Sequence, residues 1–171
     1  MRFEYTKKRF KKLPLLKGKK VTRDPQHLPQ RNDFRYFFNI DTRWMDNDIY
    51  GHVNNVVYYS YFDSIVNKYL IEHANLDIHN GQDIGLMVSS NCNYYSSIAF
   101  PEKIVGGIAV SRIGNSSVSY KVAIFKEDQD NASADGSMTH VFVNRKTNKP
   151  TPILGTLKEA LTKASIKAKN D

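Results

Sequence analysis

Between Thr42 and Asn55 the chain reads TRWMDNDIYGHVNN, which gathers two carboxylates, a glycine, a histidine and three asparagines into 14 residues. A polar cluster this dense is hard to explain as packing. If a helix begins where the stretch ends, the amides of Gly51, His52, Val53, Asn54 and Asn55 are the unpaired N–H groups of its start. Such groups suit an oxyanion or a carbonyl gaining negative charge. Asp48 stands three residues before Gly51, close enough for its carboxylate to face whatever the amides hold. A carboxylate beside a polarised carbonyl acts as general base on water or as nucleophile. One amide donor is worth about 3 kcal/mol and proton transfer about 10²- to 10⁴-fold, which together suffice for an activated ester and are meagre for an amide.

Each of these residues also has a plainer role. Asp46 or Asp48 can cap the helix or its approach turn, as can Asn54 and Asn55. Gly51 suits a turn with positive φ, and His52 suits a hydrogen-bonded structural imidazole. It is their occurrence together that points to chemistry.

Two elements must flank the cluster. Before it, residues 34 to 43 (FRYFFNIDTR) put Phe34, Tyr36, Phe38 and Ile40 on one face, the period of a half-buried strand interrupted only by Phe37. After it, the spacing of Tyr58, Phe62, Ile65, Val66 and Tyr69 predicts a helix from about Val53 to Ala74. Val56, Val57, Tyr59, Tyr61, Leu70 and Ile71 spread its apolar surface around most of the circumference, so a sheet wrapping the helix is the natural host.

A loop at Asp77 to Asp83 leads to four strand-like segments: Ile84 to Ser97, Lys103 to Gly114, Ser117 to Lys126 and Ser137 to Arg145. Gly114, Asn115 and Ser116 mark a hairpin turn, and Glu127 to Gly136 reads as a polar loop. Connections this short imply antiparallel neighbours. Thr156 with Glu159 forms a capping-box pattern for a short terminal helix. The fold class expected is α+β, with one antiparallel sheet and one dominant helix; the sheet's open face or edge calls for a second copy to cover it.

Composition narrows the classes. The chain has 171 residues, 40% of them apolar, and no window offers the ~20 continuous apolar residues of a membrane span. Cys92 is the single cysteine, so no internal disulfide can form, and no Cys/His set has zinc-site spacing; neither a metal nor a redox cofactor is expected. A reducing, cytoplasmic setting fits, since residues 1 to 33 lack the apolar run of a secretory signal. Those residues hold 11 Lys/Arg against 3 Asp/Glu, while residues 34 to 171 hold 14 of each, so the net charge of +8 lies wholly in the leader. A basic arm can touch nucleic acid or anionic lipid, or serve as a solvated tail. The balanced remainder speaks against a nucleic-acid face on the domain itself. A mitochondrial presequence is the weaker alternative, because the leader is Lys-led and has no Ser before residue 60.

The run R-W-x-D-x-D-x-x-G-H-V-N-N, with Tyr58, Tyr61, Phe62 and Asp63 after it, resembles the signature of hotdog-fold acyl-CoA thioesterases of the 4-hydroxybenzoyl-CoA thioesterase type. NCNYYSSIAFP (Asn91 to Pro101), RIGNSSVSY (Arg112 to Tyr120) and KPTPI resemble that family's remaining strands, so the likeness covers about residues 34 to 154. The resemblance implies a hotdog fold, a long central helix wrapped by a curved antiparallel β-sheet, in homodimers or homotetramers with active sites between subunits. It implies an acyl-CoA substrate hydrolysed to free acid and CoA, with Asp48 as the catalytic carboxylate and the Asn55 amide donating to the thioester carbonyl. His52 and Gly51 join these as catalytic candidates, and Val53, Asn54, Tyr58 and Asp63 as substrate-binding ones. Val66 stands where many relatives carry an Arg. Tyr94 and Tyr95 are candidates for an acyl pocket, and Arg112, Lys121, Arg145 and Lys146 for the CoA phosphates. The organisation expected is a basic extension over 1–33, the hotdog domain over 34–155 and a short helix or tail over 156–171. The alternatives are hydration or dehydration of an acyl thioester by a His52–Asp48 acid/base pair, and a non-catalytic acyl-CoA-binding module.

Overall fold

A computed structural model of the chain describes residues 28–166. Five strands and two helices follow in the order β1 (Tyr36–Asp41), α1 (Asn55–Ala74), β2 (Asp83–Tyr94), β3 (Lys103–Ile113), β4 (Ser117–Lys126), β5 (Ala134–Asn144) and α2 (Gly155–Lys163). The strands form one antiparallel sheet in the order β1-β3-β4-β5-β2, curved around α1. This is the hotdog arrangement that the sequence predicts.

α1 has no Gly or Pro to interrupt it and buries Tyr58, Tyr61, Phe62, Ile65, Val66, Tyr69 and Leu70 against the sheet and α2. Each fully buried large side chain of this kind contributes about 1.5–3 kcal/mol, which outweighs the weak intrinsic preference of its Tyr and Val residues for helix. The Val66 position is sealed in this core, where an Arg would be an unpaired buried charge. The helix lies so close to β5 that the ring of Phe62 and the carbonyl of Asn91 leave no room for a side chain at Gly136.

Several boundaries differ from the sequence expectation. α1 starts at Asn55 rather than Val53, because the Val53 amide donates to the Ile98 carbonyl (2.8 Å) and the Asn54 side chain caps the helix through the Val56 amide (3.0 Å). β2 stops at Tyr94 rather than Ser97, since the Tyr95 and Ser96 amides both turn to the Ser133 carbonyl. β5 begins at Ala134 rather than Ser137; Ala134 and Gly136 pair with Tyr94 and Cys92 in spite of their loop-like composition. The capping box at Thr156 is not made: Leu154 takes the cap position, which puts Thr156 inside the first turn. α2 packs on α1, where the Tyr69 hydroxyl donates to the Ala160 carbonyl at 2.7 Å. Residues 28–33 also fold against the domain, with Arg31 donating to the carbonyls of Lys126, Glu127 and Gln129. The basic leader's residues 1–27 lie outside the described residues. Among the described residues no helix is long and apolar enough to cross a membrane.

Candidate functional site

The approach to α1 is held by Asp46, which is almost fully buried. Its carboxylate accepts from the Tyr61 hydroxyl (2.6 Å), the Arg43 amide (2.7 Å) and the Arg43 guanidinium (2.9 and 3.0 Å). Burial works against its charge, but the bonds from Tyr61 and Arg43 outweigh burial and hold the carboxyl below the usual carboxylate range. Its carbonyl accepts from the Asn54 amide at 2.8 Å, which fixes the loop to the helix start. Asp46 therefore caps the short 3-10 turn Trp44–Asp46 through the Arg43 amide and anchors the loop, while α1 itself is capped by Asn54. Its link to Tyr61, 15 residues away, carries no sequence signal that periodicity would reveal.

From this anchor the chain turns at Asp48 to Gly51. The Gly51 amide donates to the Asp48 carbonyl (3.0 Å) and the Asp48 amide to the His52 carbonyl (2.9 Å). Gly51 has φ +82°, a conformation that favours glycine, so its sequence reading as a turn holds. The half-buried Asp48 carboxylate accepts from the Tyr50 amide at 2.8 Å.

Of the five amides expected to be unpaired at the helix start, three have partners. Gly51 donates to Asp48, Val53 to Ile98 and Asn54 to Asp46, because the loop uses these bonds to hold its own shape. Among the described residues no acceptor takes the amides of His52 and Asn55. Both residues line a pocket of about 270 Å³, together with Val53 and Tyr58. Tyr94, Tyr95, Ser96 and Ser97 complete its lining. The pocket thus unites six of the expected residues: His52, Val53, Asn55, Tyr58, Tyr94 and Tyr95. Asp48, Gly51 and Asn54 are not among its walls, and Asp63 sits exposed two turns along α1, bonded to Asn67.

The aromatic walls are rigidly placed. Tyr58 and Tyr94 meet edge to face at 5.1 Å, and the Tyr94 hydroxyl donates to the Asn55 carbonyl at 3.2 Å. Burial pushes the Tyr58 hydroxyl up to about 12. Tyr95 is tied to Asp135 (2.8 Å). Ser96 and Ser97 carried no signal as wall residues, because only the turn of the chain after β2 brings them opposite α1. Among the basic candidates, Arg145 donates to the carbonyls of Ile78 and Gly81 and so pins the loop before β2. Arg112, Lys121 and Lys146 are exposed.

The arrangement offers two unpaired amides at the positive end of a 20-residue helix, beside an aromatic pocket, with a carboxylate one turn of chain away. That suits an acyl carbonyl. A family model described as the thioesterase-like superfamily matches residues 42–161. The PA5185 protein of Pseudomonas aeruginosa is 50% identical, its crystal structure covering 84% of this chain and all of its own with a TM-score of 0.81. The DHNA-CoA thioesterase of Staphylococcus aureus shares the fold at 24% identity and a TM-score of 0.66, covering 74% of this chain and 88% of its own. The uncharacterized protein YsmA of Bacillus subtilis is 26% identical over 88 residues, 52% of this chain, and the match spans only 59% of that relative's length.

Proposed function

We propose that this chain, which belongs to the thioesterase-like superfamily, hydrolyses an acyl-CoA thioester to the free acid and CoA. Thioester hydrolysis is the reaction class that goes with the family, and the CoA carrier is the finer part of the proposal. The observation that carries it is the unpaired Asn55 amide at the wall of the tyrosine-lined pocket. The thioester carbonyl accepts from this N–H, which strengthens as charge moves onto the oxygen. Asp48 either takes the proton of a water that adds to the carbonyl, or attacks the carbonyl itself to give an anhydride that water then hydrolyses; on either route the carbonyl carbon–sulfur bond breaks, the thiolate leaves as CoA and the acyl group departs as the free acid. In this proposal the Asp48 carboxylate, which accepts from the Tyr50 amide, swings from that bond toward the pocket lined by His52, the residue its own amide is bonded to.

A second copy completes the site in this proposal. β2 is a 12-residue strand at the end of the sheet, and Leu86, Met87 and Val88 on it are exposed by 43, 37 and 60%. A long apolar edge invites pairing with another strand, and an antiparallel partner would continue the sheet beside the pocket.

His52 in the pocket wall favours one rival, hydration or dehydration of an acyl thioester. The test is a panel of acyl-CoA thioesters assayed for free thiol with the purified chain. Hydrolysis releases thiol, and Asp48→Asn lowers kcat by orders of magnitude while leaving the unfolding curve in place. Thiol release at an unchanged rate in Asp48→Asn removes Asp48 from the mechanism. A hydrated or dehydrated acyl-CoA with no free thiol establishes the rival.

A further inference from the structure

Tyr94 is one wall of the pocket beside Asn55. Alternate residues of β2 share its inward face: Tyr94, Cys92 and Ser90 stand opposite Ala134, Gly136 and Met138 of β5, all three buried. Past the tyrosine these inward side chains are small. On α1 the stripe that begins at Asn55 continues through Tyr59 and Asp63, one and two turns on, and both are exposed. Exposed side chains on this stripe of α1 and small ones on the inward face of β2 thus flank the space beyond Asn55 over two helical turns, about 12 Å at 1.5 Å per residue. One side chain crosses it. Tyr94 reaches from β2 to the first turn of α1, bonded to the Asn55 carbonyl at 3.2 Å and braced edge-on by Tyr58 at 5.1 Å. Burial pushes its hydroxyl above the ordinary tyrosine range, with the Cys92 thiol beside it adding to the rise, so it stays a neutral donor at neutral pH.

We propose that Tyr94 sets the length of acyl group this chain accepts, acting as a partition between the pocket at the helix start and the space between α1 and β2. This rests on the acyl-thioester proposal for the same pocket. A short acyl group ends against the Tyr94 ring. A longer one needs the ring out of the way, and the small side chains of Cys92 and Ser90 then line its path.

The test compares the unsubstituted chain with Tyr94→Ala and Tyr94→Phe on saturated acyl-CoA thioesters of increasing length, read as kcat/KM by thiol release. Binding of the matching S-alkyl-CoA thioethers, which cannot be hydrolysed, is measured in parallel by calorimetry. In the unsubstituted chain kcat/KM falls steeply past one length. In Tyr94→Ala the fall moves to longer chains, each newly buried methylene raising kcat/KM about fourfold, the equivalent of ~0.8 kcal/mol. Tyr94→Phe keeps the ring but loses the bond to Asn55, so it moves the limit less; it also stands in if the alanine variant fails to fold. A folded Tyr94→Ala with the original length profile overturns the proposal, as does a thioether series that binds none of the three proteins. If no protein releases thiol from any substrate, hydrolysis is refuted on its own, and a shifted length preference in thioether binding still supports Tyr94 as the partition.

Discussion

The Asn55 amide can be removed almost alone. Asn55 is the first residue of α1, where proline is well accepted because the N–H there has no partner within the helix. The preceding residue suits as well: Asn54 has φ −62° and ψ 140°, the extended conformation that a following proline requires. Asn55→Pro therefore deletes one N–H, keeps the carbonyl that accepts from Tyr94, and leaves the helix standing. Loss of one donor to a developing oxyanion costs about 2.7–4 kcal/mol, so kcat is expected to fall about 10²- to 10³-fold. Stability should hold or rise by about 0.4–1 kcal/mol, because proline narrows the unfolded ensemble. Asn55→Ala loses the same side chain but retains the N–H, so the ratio of the two variants isolates the amide. Thiol release from the best acyl-CoA substrate gives the rates, and urea unfolding at one fixed protein concentration gives the stabilities. A proline variant as stable and as fast as the alanine variant would refute the role assigned to this amide.

Tyr61→Phe removes a hydrogen bond to a buried carboxylate and should cost about 1.5–3 kcal/mol, seen as a melting temperature lower by about 3–12 °C. Because Asp46 is held below the usual carboxylate range, its contribution is fully present above the unfolded value of about 3.9 and is lost as pH falls through the folded one; Asp46→Asn should flatten this acid limb of the stability curve. Gly136→Ala drives a methyl group into the Asn91 carbonyl and the Phe62 ring, so urea unfolding should show a loss of about 1–3 kcal/mol or a displaced β2. If β2 pairs with a second copy as proposed, the unsubstituted chain sediments as a dimer, and Val88→Lys on the exposed β2 edge should leave a monomer with lower thiol release.

Periodicity made the frame legible before any coordinates. The alternation of Tyr36, Phe38 and Ile40 and the helical spacing from Tyr58 to Tyr69 each reflect a face that must be buried, and burial is what sequence patterns report; Phe34, expected on that face, precedes β1 and packs in a separate cluster with Phe125. Element ends were less legible, because they depend on single bonds to distant partners: Val53 to Ile98, Tyr95 to Ser133. The site was legible as a cluster and illegible as an arrangement. Residue types between Thr42 and Asn55 announced donors and acceptors, but which amide remains unpaired depends on which carbonyls the folded loop brings within reach. Asp46 and Asp48 look interchangeable in sequence. In the fold one is buried under Tyr61 and the other sits half-exposed in a turn.

That division between the two aspartates bears on function. A reactive carboxylate must be able to meet water or substrate, which a group carrying four hydrogen bonds in the core cannot do. Asp46 gives up that freedom to fix the loop, and the fixed loop occupies the amides of Gly51, Val53 and Asn54. What remains for a ligand at the helix start, among the described residues, is the amides of His52 and Asn55, both of which line the pocket. The anchor thus selects the donors: loosen Asp46, and the amides that hold the turn compete with Asn55 for the carbonyl oxygen. On this account Tyr61→Phe should disturb activity only as far as it lets the loop move, whereas Asn55→Pro disturbs activity without disturbing the loop at all.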